Sequence, residues 1–119
     1  MSHSLLDPAA IESLRAISPD DNGEFLHELI DIYLTDTPQR IAEIEQSLAA
    51  ENAGDLTRAA HSIKGSSSNF GAMELAAIAA EIEHKGKASA FAEAQARLPT
   101  LVEAFNRLRP ALLELKTGA

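Results

Sequence analysis

The stretch from Leu56 to Gly71 constrains the fold most, because its apolar residues repeat with the period of an α-helix. At about 100° per residue, one set of side chains falls within roughly 50° of a single direction. The members of this stripe are Leu56, Ala59, Ala60, Ile63, Ser67 and Phe70. The stripe predicts one buried helix face. His61 lies about 140° away from it on the wheel, so we expect the imidazole to stand in solvent.

The residues that share the outward sector with His61 are unusual for an ordinary solvated face. Lys64, Gly65 and Ser68 follow one turn further along the same side. A glycine inside a helix costs about 1 kcal/mol relative to alanine, so we expect a compensating benefit at Gly65. A surface without a side chain lets another protein come close to the ring, and Lys64 adds a cation beside that space. The combination suits an imidazole that carries a phosphoryl group, with a ring nitrogen as nucleophile and the ammonium offsetting charge.

The motif that starts at His61, H-S-I-K-G-S-S-S-N-F-G-A, resembles the histidine-containing phosphotransfer (HPt) domains of bacterial multistep phosphorelays. Their pattern is His-x-x-Lys-Gly, followed by small residues and a second glycine, which here is Gly71. The resemblance extends through L-A-A-I-A-A-E-I-E-H-K-G-K, residues 75–87. It implies an antiparallel up-down four-helix bundle, with a short extra N-terminal helix lying across one end near the histidine.

The same resemblance implies a function. His61 would accept a phosphoryl group from a receiver-domain aspartate and pass it to a second one, reversibly, with Lys64 stabilising the phosphoryl charge. Receiver docking and access would fall on Gly65, Ser68, Gly71 and Lys87. The implied partners are receiver domains of response regulators and of a hybrid sensor kinase. The receiver would supply Mg²⁺, so the chain itself needs no cofactor, and a domain presenting one histidine works as a monomer.

Length and composition limit the other possibilities. A chain of 119 residues predicts a single domain over residues 1–119, with its core at 23–116. Richness in Ala, Leu, Ile and Glu predicts an all-α fold. A net charge of -8 argues against nucleic acid, which requires clustered Lys and Arg. The sequence has no cysteine, no apolar run near the roughly 18 residues of a membrane span, and no N-terminal secretory signal. We therefore expect a cytoplasmic protein without a membrane partner.

Cap and proline signals divide the first half of the chain. Asp7 followed by Pro8 predicts a short helix to about Ile17. A second helix is expected over residues 23–36. Thr37 and Pro38 repeat the cap-then-proline signal, so a separate third helix is predicted from Pro38 to Glu51.

The second half continues the helical pattern after the histidine helix. A helix is expected over residues 73–85, with Gly86 as its C-cap. The last helical segment should run over residues 89–115. Pro99 and Pro110 interrupt it, so a kink or break is expected near one or both. Short connections between amphipathic helices indicate an antiparallel bundle.

Other chemistries fit the sequence less well. Two Glu-x-x-His segments, at residues 24–27 and 81–84, would suit a di-iron bundle only if they pointed inward, and the wheels place them outward. No spacing suggests a zinc site, so we predict no metal. No phosphate-binding glycine loop is present, so the chain is expected to be a phosphocarrier rather than an enzyme that uses ATP.

Two rival functions follow from the same features. One is a non-catalytic helical module that binds receiver domains without transfer. The other is an autokinase dimerisation domain, which also carries an exposed histidine. That class requires an ATP-binding domain in the same chain, for which we expect no space in 119 residues.

Overall fold

The computed structural model describes residues 5–117, and all secondary structure within this range is helical. The helices are α1 (Pro8–Ile17), α2 (Glu24–Ala50), α3 (Ala53–Asn69), α4 (Met73–Lys87) and α5 (Phe91–Thr117). None of these helices is both long and apolar enough to cross a membrane. The two ends of the predicted 1–119 domain, including part of the segment searched for a secretory signal, lie outside the described residues.

The helices α2 to α5 form an antiparallel four-helix bundle. Each packs against the next along the chain, and α5 also packs against α2, which closes the bundle. Links of two or three residues join them, so each helix must reverse the direction of the one before. The cross-helix contacts agree: Tyr33 near the start of α2 meets Ser67 near the end of α3. The predicted bundle with a short extra N-terminal helix is confirmed.

The predicted apolar stripe of α3 lies in the centre of this bundle, and all its members are buried. The Tyr33 hydroxyl and Ser67 Oγ are 2.7 Å apart in a buried hydrogen bond. The Tyr33 ring also packs against Phe70 and Phe105, with centroid separations of 5.2 and 6.0 Å. Burial raises the pKa of Tyr33 to about 12, so its hydroxyl stays protonated and available as a donor. These contacts fix which face of α3 points inward.

The prediction of two separate helices over residues 23–51 is wrong. α2 is continuous from Glu24 to Ala50, and Pro38 lies inside it. Proline removes one backbone donor from the helix. The Pro38 ring is exposed, whereas Thr37 before it and Ile44 after it are buried on the side that faces the bundle. Because the same face of the helix packs on both sides of the proline, tertiary burial outweighs the local signal for a helix start.

The end of α4 also differs from the prediction. Gly86 is not a C-cap: it is a buried residue inside α4, which continues to Lys87. A Cβ at this position would lie 2.7 Å from Thr57 Oγ1 on α3. The missing side chain therefore allows α3 and α4 to approach closely.

The last helix is continuous as well. α5 runs from Phe91 to Thr117 with Pro99 and Pro110 inside it, so neither proline breaks the helix. Both prolines are exposed, while Leu98, Leu101 and Leu112 on the inner side are buried. A kink at either proline remains a prediction.

The short helix α1 is anchored at the turn between α3 and α4. Asp7 caps it as predicted, accepting a hydrogen bond from the Ala9 amide over 3.0 Å. The Asp7 amide donates to the Gly71 carbonyl over 3.1 Å. Gly71 has a φ of +69°, and a Cβ there would lie 2.3 Å from that of Asp7, so the turn requires glycine. This anchor lies just past the end of α3, about three helical turns from His61.

Candidate functional site

His61 lies in the middle of α3 and points away from the core. Its neighbours Ala60 and Ile63 are fully buried, whereas 64% of the His61 side chain is exposed. The helix is fixed at its start by Asn52, whose side chain accepts a hydrogen bond from the Asp55 amide over 3.0 Å. The orientation predicted for the imidazole from the helical wheel is therefore the one observed.

A buried carboxylate on the neighbouring helix contacts the ring. Glu83 on α4 is only 6% exposed, and its Oε2 lies 2.9 Å from Nδ1 of His61. The other oxygen, Oε1, lies 2.7 Å from Nζ of Lys64. Nζ of Lys87 lies 3.7 Å from Oε2. His61, Lys64, Glu83 and Lys87 thus form one group at the boundary between α3 and α4, which we call the Glu83 cluster.

The charge of Glu83 determines the state of the imidazole. Burial by itself raises the pKa of Glu83, but the hydrogen bonds and positive charge of Lys64 and His61 outweigh burial, and the pKa ends below its ordinary value. The side chain is therefore an ionised carboxylate at neutral pH. A carboxylate only accepts hydrogen bonds, so Nδ1 of His61 must carry a proton and donate it. In the neutral ring, Nε2 then holds the lone pair.

The surface next to the ring is open at Gly65. This glycine is exposed, and a Cβ built on it would have no atom within 4 Å beyond its chain neighbours and the backbone of its own helix. Ser68 is exposed too, but its hydroxyl donates to the Lys64 carbonyl over 2.8 Å. The predicted docking roles of these two residues remain predictions that fit their exposure.

The position of Gly71 does not favour the predicted role in access. Gly71 is buried beneath Asp7, about three turns of helix from His61. Its positive φ and its close contact with Asp7 give a conformational reason for the glycine. Gly71 shapes the turn that holds α1, and its role in receiver access remains a prediction.

The two lysines near the end of α4 face different ways. Lys85 pairs with Glu93 on α5 over 2.8 Å, whereas Lys87 faces Glu83 and α3. Lys87 therefore stands on the same side of the bundle as His61.

The two Glu-x-x-His segments lie on different helices, residues 24–27 on α2 and residues 81–84 on α4, and they form no common site. Glu24 and His84 are exposed, and Glu81 pairs with Arg97 on α5 over 2.9 Å. Within residues 5–117, no group of three His, Cys, Asp or Glu side chains is placed to hold a metal ion.

Sequence reasoning missed Glu83. A signal was present, because Glu83 stands four positions after Ala79 and eight after Leu75, which places it on the apolar face of α4. An acidic side chain on a buried face requires partners of opposite charge. That requirement pointed to an ion pair, although not to its location beside His61.

Comparisons with known proteins identify the family of the chain. A family model described as "Hpt domain" matches residues 28–109, more than half of the chain. A comparison with curated proteins finds no match. The crystal structure of histidine-containing phosphotransfer protein B (HptB) from Pseudomonas aeruginosa PAO1 is similar to the chain, with a TM-score of 0.88 and 28% sequence identity. The match covers 99% of each chain. The bundle, the exposed histidine on α3 and the matching family model together show that this chain belongs to the Hpt domain family of histidine phosphotransfer proteins.

Proposed function

We propose that this chain is a phosphorelay intermediate in which His61 takes a phosphoryl group from the aspartate of one receiver domain and gives it to another. The observation that carries the proposal is the exposed His61 ring, whose Nδ1 is engaged by a buried carboxylate. The nitrogen that remains to act as nucleophile, Nε2, is the one further from the backbone.

The transfer follows from this protonation state. The Nε2 lone pair attacks the phosphorus of the receiver phosphoaspartate, the P–N bond forms, and the P–O bond to the aspartate breaks. The aspartate leaves as a carboxylate, and Nδ1 keeps its proton. The phosphorylated ring is then positively charged, next to the carboxylate of Glu83. In the onward step the P–N bond breaks while a P–O bond forms to the second aspartate, and neutral imidazole is restored.

The charges around the ring favour a phosphoryl group. Lys64 and Lys87 contribute two positive charges against the single negative charge of Glu83, which leaves an excess positive charge beside His61. Phosphoryl transfer depends mainly on alignment and on neutralising the oxygen charges. The open surface at Gly65 gives a receiver domain space to bring its aspartate to the ring. Mg²⁺ is expected to belong to the receiver partner.

A non-catalytic module that binds receivers without transfer is the alternative. Such a module requires the outer surface of α3 but not a carboxylate that fixes the tautomer of His61. The hydrogen bond between Glu83 and Nδ1 therefore favours transfer.

The test is to mix the chain with a receiver domain that carries ³²P on its aspartate. Label should move to the chain in a form that is stable in alkali and lost in acid. His61→Gln should abolish this labelling and keep the helical content, whereas the matched control His84→Gln, at an exposed histidine on α4, should be labelled normally. Binding of the receiver without movement of label to the wild-type chain would identify the non-catalytic module instead.

A further inference from the structure

The two lysines of the Glu83 cluster are not equivalent. Lys64 makes a direct contact of 2.7 Å with Oε1 of Glu83, and its side chain is 36% exposed. Lys87 stands 3.7 Å from Oε2, and its side chain is 65% exposed. Lys64 is therefore held closely against the buried carboxylate, whereas Lys87 is loosely associated with it.

Moving the two lysines toward a phosphoryl group has different consequences. If Lys64 left, Oε1 of Glu83 would lose its only direct partner in the cluster, and an unpaired buried carboxylate oxygen is strongly unfavourable. If Lys87 left, the carboxylate would keep its closer contacts to Lys64 and His61. The contact of Lys87 is long, and its ammonium is largely exposed to water, which can solvate it after it leaves, so Lys87 can move at a smaller cost than Lys64.

Lys87 also stands on the imidazole side of the carboxylate. Oε2 is the oxygen that accepts from His61, and it is the same oxygen that Lys87 approaches. Lys64 approaches the other oxygen. Lys87 is the last residue of α4, and its long, exposed side chain has freedom to turn toward the ring.

We propose that Lys87 is the cation that contacts the transferred phosphoryl group, and that Lys64 is a positioning residue that acts through Glu83. This inference rests on the proposed function and changes no bond of the transfer. It differs from the role that the His-x-x-Lys-Gly motif suggests for Lys64, because the structure places the ammonium of Lys64 on a buried carboxylate.

The first test is the rate at which phosphoramidate, a small phosphoryl donor, forms phosphohistidine on the full chain. Lys87→Gln should lower this rate about tenfold in both the wild-type and the Glu83→Gln backgrounds, in the range expected for one nearby charge. Lys64→Gln should lower the rate in the wild type but much less in the Glu83→Gln background. Lys85→Gln is the matched control on the same helix and should have no effect, since Lys85 pairs with Glu93.

A conservative variant at residue 64 tests whether the ion pair with Glu83 is what the rate requires. Lys64→Arg should restore the rate, because a guanidinium can still pair with Glu83. The proposal is overturned if Lys64→Gln causes its full loss in the Glu83→Gln background, or if Lys87→Gln leaves the rate unchanged.

The second test uses the unphosphorylated chain and measures the midpoint of unfolding in urea. Lys64→Gln should lower the midpoint in the wild type but not in the Glu83→Gln background, and Lys87→Gln should lower it in neither. Equal coupling of both lysines to Glu83 would overturn the proposed division.

If the wild-type chain forms no phosphohistidine, the proposed function and the phosphoryl contact of Lys87 both fail. The unfolding cycle decides the positioning role of Lys64 independently of that result.

Discussion

Glu83 on α4 lies 2.9 Å from Nδ1 of His61 on α3, so the protonation of the proposed nucleophile is controlled by a neighbouring helix. A hydrogen bond to one ring nitrogen fixes both the tautomer and the orientation of an imidazole. The packing of α4 against α3 is therefore part of the site as well as part of the bundle.

Replacing Glu83 should change the tautomer of His61. We expect long-range ¹⁵N NMR at a pH where the ring is neutral to show protonated Nδ1 in the wild type. Glu83→Leu removes the acceptor, so a large fraction of the ring should shift to protonated Nε2, and phosphoryl acceptance should slow about tenfold or more. Glu81→Leu is the matched control, since Glu81 pairs with Arg97 on the other side of α4. An unchanged tautomer in Glu83→Leu would show that the hydrogen bond does not govern the ring.

Stability in acid should depend on Glu83. Burial raises its pKa, but Lys64 and His61 together lower the pKa by more than burial raises it. The folded-state pKa therefore lies below the ordinary 4.5. The unfolded chain therefore binds more protons in this range, and the stabilisation is complete above pH 4.5 and lost as the pH falls through the folded-state pKa. The free energy of unfolding of wild type should converge toward that of Glu83→Gln below pH 4.5. A constant difference from pH 7 down to pH 2, measured by urea unfolding, would contradict this linkage.

Much of the fold followed from local signals. The Asp7 and Pro8 cap predicts α1, and the apolar stripe from Leu56 to Phe70 predicts the inner face of α3, because both depend only on nearby residues. The signals at Pro38 and Gly86 were misleading for one reason. Packing against another helix keeps α2 continuous across Pro38, and packing between α3 and α4 places Gly86 against Thr57. Such packing between helices cannot be read from one segment alone.

The site was predictable in part for the same reason. His61, Lys64 and Gly65 lie within one turn of one helix, so their shared outward face follows from helical geometry. Glu83 and Lys87 join them only because α4 runs antiparallel to α3 at a particular register. Lys64, for which the sequence indicated no partner, is therefore an ion-paired residue in the structure.

The glycines of α3 and its following turn should respond oppositely to alanine. Gly65→Ala should stabilise the fold by up to about 1 kcal/mol, because the new Cβ meets nothing beyond its own stretch of helix and alanine favours helix. Gly71→Ala should destabilise it by about 2 kcal/mol or more, because a Cβ would clash with Asp7 at a positive φ. Urea unfolding of both variants checks the pair, and a stable Gly71→Ala protein would refute the turn assignment.

The buried hydrogen bond between Tyr33 and Ser67 should show coupling. Ser67→Ala leaves the buried Tyr33 hydroxyl without this partner and should cost about 1 to 3 kcal/mol. The double variant Tyr33→Phe/Ser67→Ala should be more stable than the sum of the two single losses predicts. Strict additivity in thermal or urea unfolding would show that the two groups do not interact.

The most direct measurement identifies which ring nitrogen of His61 carries the phosphoryl group. After the wild-type chain has been phosphorylated with phosphoramidate, ³¹P and ¹⁵N NMR distinguish the two ring positions of His61. We expect phosphorus on Nε2, with a proton remaining on Nδ1 beside Glu83. Phosphorus on Nδ1, or on a residue other than His61, would contradict it.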